Sequence, residues 1–320
     1  MTHISPNLKA ILSHERINLT DGGLETAMIF HEGFDLPEFA AFTLLESEAG
    51  RAAMNRYMDR FLALAEESGS GFVVDTPTWR SGVFWAGALG RTPEQMVRSS
   101  EAAVRYAQSV RDRWDDRVTP IVVNGVVGPA GDGYVIESAY TAEAAEGVHG
   151  PQISAMAEIG IDVVTAVTMT HTGEAIGIVR AAKSANLPVI VGFTVETDGN
   201  LPNGQSIGSA IEEVDAATGN APIYFMINCA HPDHFRDALA NGDAWLSRIG
   251  CIRANASRMS HAELDEAEEL DEGNPREFGE LNLSLARLLP NLRVLGGCCG
   301  TDHRHVGEVS GCVHGSAVAA

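Results

Sequence analysis

Eight short apolar runs, rich in β-branched residues and separated by helical stretches, govern what this chain can fold into. They are "INLTDGG" (17–23), "GFVVDTPTW" (71–79), "PIVVNGVVGP" (120–129), "IDVVTAVTM" (161–169), "PVIVGFTV" (188–195), "IYFMINCA" (223–230), "GCIRANAS" (250–257) and "LRVLGGCCG" (292–300). Continuous apolar runs this short suit strands buried on both faces of a parallel sheet. Between them lie helical patterns such as 48–69 and 92–114, the second opening on a capped start at Thr92, Pro93 and Gln95. The alternation continues without a break in composition. It predicts an α/β fold in one domain, residues 1–320: a single (β/α)8, or TIM, barrel. A doubly wound sheet is the rival, but "DGGLETA" after the first run lacks the G-x-G-x-x-G phosphate turn that such a sheet would need.

Composition narrows the partners. The formal net charge is -21 and the only lysines are Lys9 and Lys183. With no basic stripe to neutralise phosphates, a nucleic-acid partner is not expected. The acidic stretch 263–277 reads as a solvated face. No run approaches the roughly 20 apolar residues that span a bilayer, so no membrane partner is expected either. The N-terminus lacks the pattern of a signal peptide, and five cysteines, an odd number, do not read as a disulfide framework. A reduced, cytoplasmic protein is expected, with homo-oligomerisation left open.

In a barrel the chemistry gathers at the C-terminal ends of the strands. Those ends carry Asp21-Gly22-Gly23, Thr76 to Trp79, Gly125 to Gly128, Thr168, Asn228-Cys229, Asn255 and Cys298-Cys299. Three of the five cysteines thus share one face, from the sixth and eighth runs, which are next-but-one neighbours. Adjacent cysteines are poor disulfide partners for each other. Three converging thiolates suit Zn2+, with a fourth position open for a substrate. "GGCCG" is therefore expected to be part of a metal site rather than a redox pair. Cys251, at the start of the seventh run, and Cys312, in the terminal helix, read as small apolar residues. His303 and His305 read as the first turn of the last helix, capped by Thr301 or Asp302. The glycine-rich loop 128–140 is expected to form a rim or lid.

"DGGLETAM" (21–28), "INCAHP" (227–232) and "GGCCGTDHRHV" (296–306) resemble the homocysteine S-methyltransferase family. The segments "VVNGVVGPAGDGY" (122–134), with Tyr140 beyond it, and "VGFTVETDGNLPNGQSIGSAI" (191–211) carry the resemblance over residues 17–310. It implies a zinc-dependent barrel with Cys229, Cys298 and Cys299 as the metal ligands. Asp21, Gly22 and Gly23 would contact the amino-acid part of homocysteine, and Glu25, Thr168, Asn228 and Asn255 complete the implied substrate-binding set. The implied reaction moves a methyl group from an onium donor (S-methylmethionine, S-adenosylmethionine or betaine) to a thiol, first of all homocysteine, giving methionine. The small-molecule partners are then the thiol and the methyl donor. Trp79 offers an aromatic face to an onium cation or packs under the rim, and Phe84 and Trp85 present the same choice. The alternatives are a different thiol acceptor, a zinc hydrolase using metal-bound water, and a closed structural zinc with His231, His234 or His303 as fourth ligand.

The chain departs from the family at one telling place. Members carry a glutamate at the end of the fourth strand that binds the homocysteine ammonium; here Val167 and Thr168 occupy the pair, and Glu174 in the next helix matches a different glutamate. Either Asp21, Glu25 or Glu196 compensates, or the natural thiol lacks an amino-acid end. In the seventh run "RANAS" puts Arg253 near the barrel interior, to bind a carboxylate or to pair with the acidic 263–272 segment.

Overall fold

The computed structural model describes residues 3–13, 16–136 and 139–315. The chain runs α1 (Pro6–Ser13), β1 (Asn18–Thr20), α2 (Leu24–Thr26), α3 (Glu48–Ser68), β2 (Phe72–Asp75), α4 (Pro93–Trp114), β3 (Ile121–Val127), α5 (Ala142–Ile159), β4 (Val163–Met169) and α6 (Thr172–Ser184). It continues through β5 (Val189–Phe193), α7 (Ile207–Thr218), β6 (Pro222–Asn228), α8 (Pro232–Ala240), β7 (Ile249–Ala254), α9 (His261–Asp265), α10 (Pro275–Ala286), β8 (Val294–Gly297) and α11 (His303–Gly315). The eight strands are parallel, pair in sequence order and close into a barrel, β1 meeting β8 through Asn18–Val294 and Leu19–Leu295. The expected (β/α)8 architecture is the observed one. Each apolar run supplies one strand, and α4 begins at the Thr92–Gln95 capping box read from the sequence.

The strands are apolar on both faces because they bury both. Outward side chains such as Phe72, Phe193, Phe225 and Ile252 pack beneath the helices. Inward, Val73, Val122, Val163, Ile190, Met226, Cys251 and Val294 fill the lower barrel, which α1 closes with Leu8 and Ile11. Burial pushes the Cys251 thiol up to about 12, as suits an apolar filler rather than a ligand. No helix among the described residues is long and apolar enough to cross a membrane.

Toward the C-terminal ends the interior changes character from apolar to charged. Asp75 is the last residue of β2, so Trp79 lies in the loop beyond the strand rather than at its end. Asn124 donates to Asp75 at 2.7 Å, and Thr165 donates to Asn124 at 2.7 Å. Arg253 of β7 reaches across the lumen to Asp75 of β2 and to Asp21 beyond β1. A belt of hydrogen-bonded polar groups therefore separates the apolar plug from the barrel mouth, where the strand-end loops converge.

Candidate metal and thiol site

Three loops bring the cysteines together. Cys229 follows β6 with a left-handed backbone, φ 55°. Its N–H donates to the Arg253 carbonyl at 3.0 Å, which ties the turn to β7. Cys298 and Cys299 leave β8 through a tight turn in which Thr301 donates from both its N–H and its Oγ1 to the Cys298 carbonyl, at 3.1 and 2.7 Å. The turn is possible because Gly297 has no side chain: a Cβ there would stand 1.9 Å from Thr301 Oγ1. The β1 loop docks on the same turn. Gly23 N–H donates to the Thr301 carbonyl at 3.0 Å, and a Cβ on Gly23 would come within 2.7 Å of the Cys298 carbonyl. Asp21, Gly22 and Gly23 thus lie directly against the cysteine loop.

The sulfurs of Cys229, Cys298 and Cys299 all lie within 4.8 Å of one another, and no histidine joins that cluster among the described residues. His231 instead caps α8, accepting from Asp233 N–H at 3.2 Å, and His234 bonds the Arg258 carbonyl at 3.0 Å. His303 opens α11 as expected, and His305 is buried against Asp302 and the Glu272 carbonyl. The fit to zinc can be tested on distance. Four sulfurs about 2.3 Å from a tetrahedral metal would be separated by about 3.8 Å. Cys229 and Cys299 stand 3.7 Å apart. The donor set and its convergence therefore suit zinc. The oxidation state shown is another matter: Cys229 and Cys298 are joined in a disulfide, leaving Cys299 as the free thiol of the three. The adjacent cysteines of "GGCCG" do not pair with each other, as expected. Cys298 pairs, not with its neighbour, but across the mouth with Cys229, and both must be reduced before three thiolates exist.

Burial, with Glu25 nearby adding to it, pushes the Cys299 thiol up to about 11. Tyr134, from the loop after β3, approaches Cys299 with its hydroxyl at 3.9 Å from the sulfur and stacks on His261, ring centroids 4.1 Å apart. His261 in turn bonds the Cys229 carbonyl at 2.7 Å and Glu196 at 3.1 Å. The Tyr134 loop is fixed from behind by buried Glu174, which accepts from Ala130 N–H at 2.7 Å and pairs with His149 at 2.8 Å. Of the loop 128–140, expected as a rim or lid, Tyr134 is the residue that reaches a cysteine sulfur among the described residues; residues 137 and 138 lie outside them.

Beneath the cysteines sits the charged belt. Arg253 donates to Asp21 at 2.5 Å, to Asp75, and to the Gly297 carbonyl at 3.0 Å. Burial works against that guanidinium's charge, but the two carboxylates hold its pKa above the ordinary value. Of the two readings of Arg253, pairing with the 263–272 segment is not what forms; its carboxylates are Asp21 and Asp75, and its donors are spent inside the protein. Asp21, which also accepts from Tyr57 at 3.3 Å, is raised by burial to about 6. Glu25 is raised by burial to about 7.

The remaining residues divide into those that face the mouth and those that shape it. Asn228 accepts from Thr168 N–H at 3.0 Å and donates to Thr168 Oγ1 at 2.8 Å. This reciprocal pair holds Thr168 at φ 65°, a conformation rare for a β-branched residue. Asn255 accepts from Ser257 N–H at 3.1 Å and steadies the loop after β7. Val167 faces inward and packs on the apolar plug. One face of Trp79 carries a cation of the protein's own, the Arg80 guanidinium at 3.9 Å, with Trp85 on its other side at 4.0 Å. Phe84 meets Trp85 edge-on. Sequence reading passed over Asp75, Tyr57, Tyr134 and His261. Asp75 had a signal, a lone carboxylate closing the apolar run "FVVD"; the others had none without the fold.

The solved structures most similar to this chain include the homocysteine methyltransferase MmuM from Escherichia coli. In its oxidized form the TM-score is 0.74 at 17% identity, over 95% of this chain and 99% of that one. In its metallated form the TM-score is 0.72 at 17% identity with the same coverage, and in its apo form 0.65 at 15% identity. At these identities the likeness speaks for the fold. The sequence itself matches the family model described as homocysteine S-methyltransferase over residues 18–313, nearly its whole length, and the chain is therefore a member of that family of thiol methyltransferases.

Proposed function

We propose that the protein transfers a methyl group from a small onium donor to an amino-acid thiol, homocysteine first among them, with zinc held by Cys229, Cys298 and Cys299. The observation that carries the reading is the convergence of three cysteine sulfurs at the mouth of the barrel, above a belt built on Asp21, Asp75 and Arg253. Zinc bound there would keep the acceptor sulfur as a thiolate at neutral pH. The chain by itself does the opposite, since burial drives the Cys299 thiol up to about 11. Its residues supply position. The Asn228–Thr168 pair fixes the two strand ends beside Cys229, and His261 holds the Cys229 carbonyl. Tyr134 lies over Cys299. The acceptor sulfur then forms a bond to the donor's methyl carbon as the methyl–onium bond breaks. The electron pair of that bond returns to the donor's sulfur or nitrogen, which becomes neutral. Two partners held in line gain most of their rate from that placement.

The onium cation is expected to approach from the Trp79–Trp85 side, where Arg80 already occupies the aromatic faces. The donor must therefore bind beside that stack rather than inside it. A hydrolase reading is less well supported, because three thiolates donate so much charge to a metal that water bound to it would be a poor acid. The deciding experiment loads the reduced protein with zinc. It then offers thiols against S-methylmethionine, S-adenosylmethionine and betaine, with mass spectrometry of the products. Methylated homocysteine is the expected outcome. If no thiol gains a methyl group from any onium donor, the reading is wrong.

A further inference from the structure

Of the mouth carboxylates Asp21, Asp75, Glu196 and Glu25, three are already committed. Asp21 accepts from Arg253 and Tyr57, Asp75 from Arg253 and Asn124, and Glu196 from His261. The fourth, Glu25, takes only its own backbone N–H; no other described residue bonds or pairs with it. Glu25 belongs to α2, which is docked on the cysteine turn. Gly300 N–H donates to the neighbouring Thr26 Oγ1 at 3.3 Å, and Gly23 abuts the Cys298 carbonyl.

The charges around Glu25 leave it short of a partner. It lies in the field of Asp21, Arg253 and Arg80, and itself raises the Cys299 thiol. Both nearby cations are engaged elsewhere. Arg253 is spent on Asp21, Asp75 and the Gly297 carbonyl, and Arg80 donates to the Gly131 carbonyl at 2.7 Å from between its two tryptophans. A half-buried carboxylate with no counter-charge favours a ligand that brings one. The fourth strand offers no anion in competition, because Val167 packs on the apolar plug.

We propose that Glu25 receives the ammonium group of the acceptor, and so restricts the enzyme to thiols that carry an amine on the same chain as the sulfur. The inference rests on the thiol-methyltransferase reading. It moves ammonium recognition from the end of β4 to the helical turn after β1. The ammonium donates its N–H to the Glu25 carboxylate while the thiol reaches the cysteine cluster next to it. A thiol without the amine leaves Glu25 unpaired and is discriminated against.

The test compares ligands that differ only in the amine. Calorimetry on the reduced protein measures binding of methionine and of 4-(methylsulfanyl)butanoate to the wild type, Glu25→Gln and Glu25→Asp. Loss of a charge-assisted hydrogen bond predicts a roughly ten- to hundred-fold weaker methionine complex in E25Q. The deaminated ligand should change by less than about twofold, and E25D, which keeps the charge, should retain the preference for the amine. In turnover, the homocysteine KM should rise in E25Q while the donor KM stays put. Equal losses for both ligands would reveal a purely structural Glu25 and overturn the proposal, and so would unchanged methionine binding in E25Q. A wild type that methylates no thiol defeats the transferase reading and this inference together. A wild type that methylates thiols while E25Q keeps its amine preference defeats the Glu25 assignment alone.

Discussion

Replacing Arg253 with methionine removes the guanidinium that Asp21 and Asp75 share, and keeps much of the side chain's apolar bulk. The arginine is buried on β7 and its side chain is 12% exposed, against 3% for Asp21 and 13% for Asp75. Breaking a buried ion pair from one side costs about 3–5 kcal/mol, because the surviving charges lose compensation without regaining water. At about 2.1 cal/mol/K of unfolding entropy per residue, a chain of 320 residues shifts its melting temperature by about 1.5 °C per kcal/mol. R253M should therefore melt about 4–7 °C below the wild type at pH 8.

The same variant makes a prediction about pH whose sign is fixed by Asp21. Burial raises that carboxyl from 3.8 to about 6 even though Arg253 and Tyr57 pull it down, so without Arg253 it must rise further. A carboxyl raised in the folded state costs nothing below its unfolded pKa, where both states are protonated. As pH climbs, the unfolded chain releases its proton first and the fold loses stability, until the folded carboxyl ionises too. Each unit of separation is worth about 1.4 kcal/mol; the gap of about two units in the wild type cancels in the comparison, so only the further rise of Asp21 makes the deficit depend on pH. The deficit of R253M should thus be largest at pH 8 and shrink toward pH 5 by about 1.4 kcal/mol for each unit of that further rise. Urea unfolding of both proteins at pH 5 and pH 8 measures it. Adding Asp75→Asn removes one of the two stranded charges and should recover part of the loss. A deficit below about 1 kcal/mol, or one independent of pH, would refute the account of a belt held together by charge.

Three further outcomes follow from the site. Metal analysis should find about one zinc per chain in protein purified and kept under a reductant, and none after oxidation or in Cys298→Ala, because the disulfide uses two of the three sulfurs. Gly297→Ala places a Cβ 1.9 Å from Thr301 Oγ1 and should cost about 1–3 kcal/mol in urea unfolding, with weaker zinc uptake as the β8 turn shifts. His231 caps α8 only as an acceptor, and burial lowers its pKa from 6.5 to about 4. Its contribution of about 3 kcal/mol should be intact above pH 6.5 and lost as pH falls toward 4. His231→Asn, which keeps a capping acceptor that does not titrate, should flatten that acid limb of the stability curve.

The difference between what the sequence disclosed and what it withheld follows from how each residue acts. The barrel was legible because a parallel strand must be apolar on both faces, and eight such runs leave few other solutions. The cysteines were legible because strand ends in a barrel share one face, so Cys229 and Cys298 could be brought together by counting strands. The disulfide between them was not, since the same convergence that suits a metal also suits a bond between two of the sulfurs. Arg253 shows the limit most sharply. Its inward position could be read from "RANAS", but its partners lie 178 and 232 residues away, on β2 and beyond β1. A run of acidic residues much closer in sequence offered the more obvious pairing. Once Arg253 is known to be spent on Asp21 and Asp75, the ambiguity left by Val167 narrows. Two of the three candidate replacements for the missing glutamate, Asp21 and Glu196, already have partners, so the one carboxylate still without one, Glu25, becomes the place to look for the substrate's positive charge.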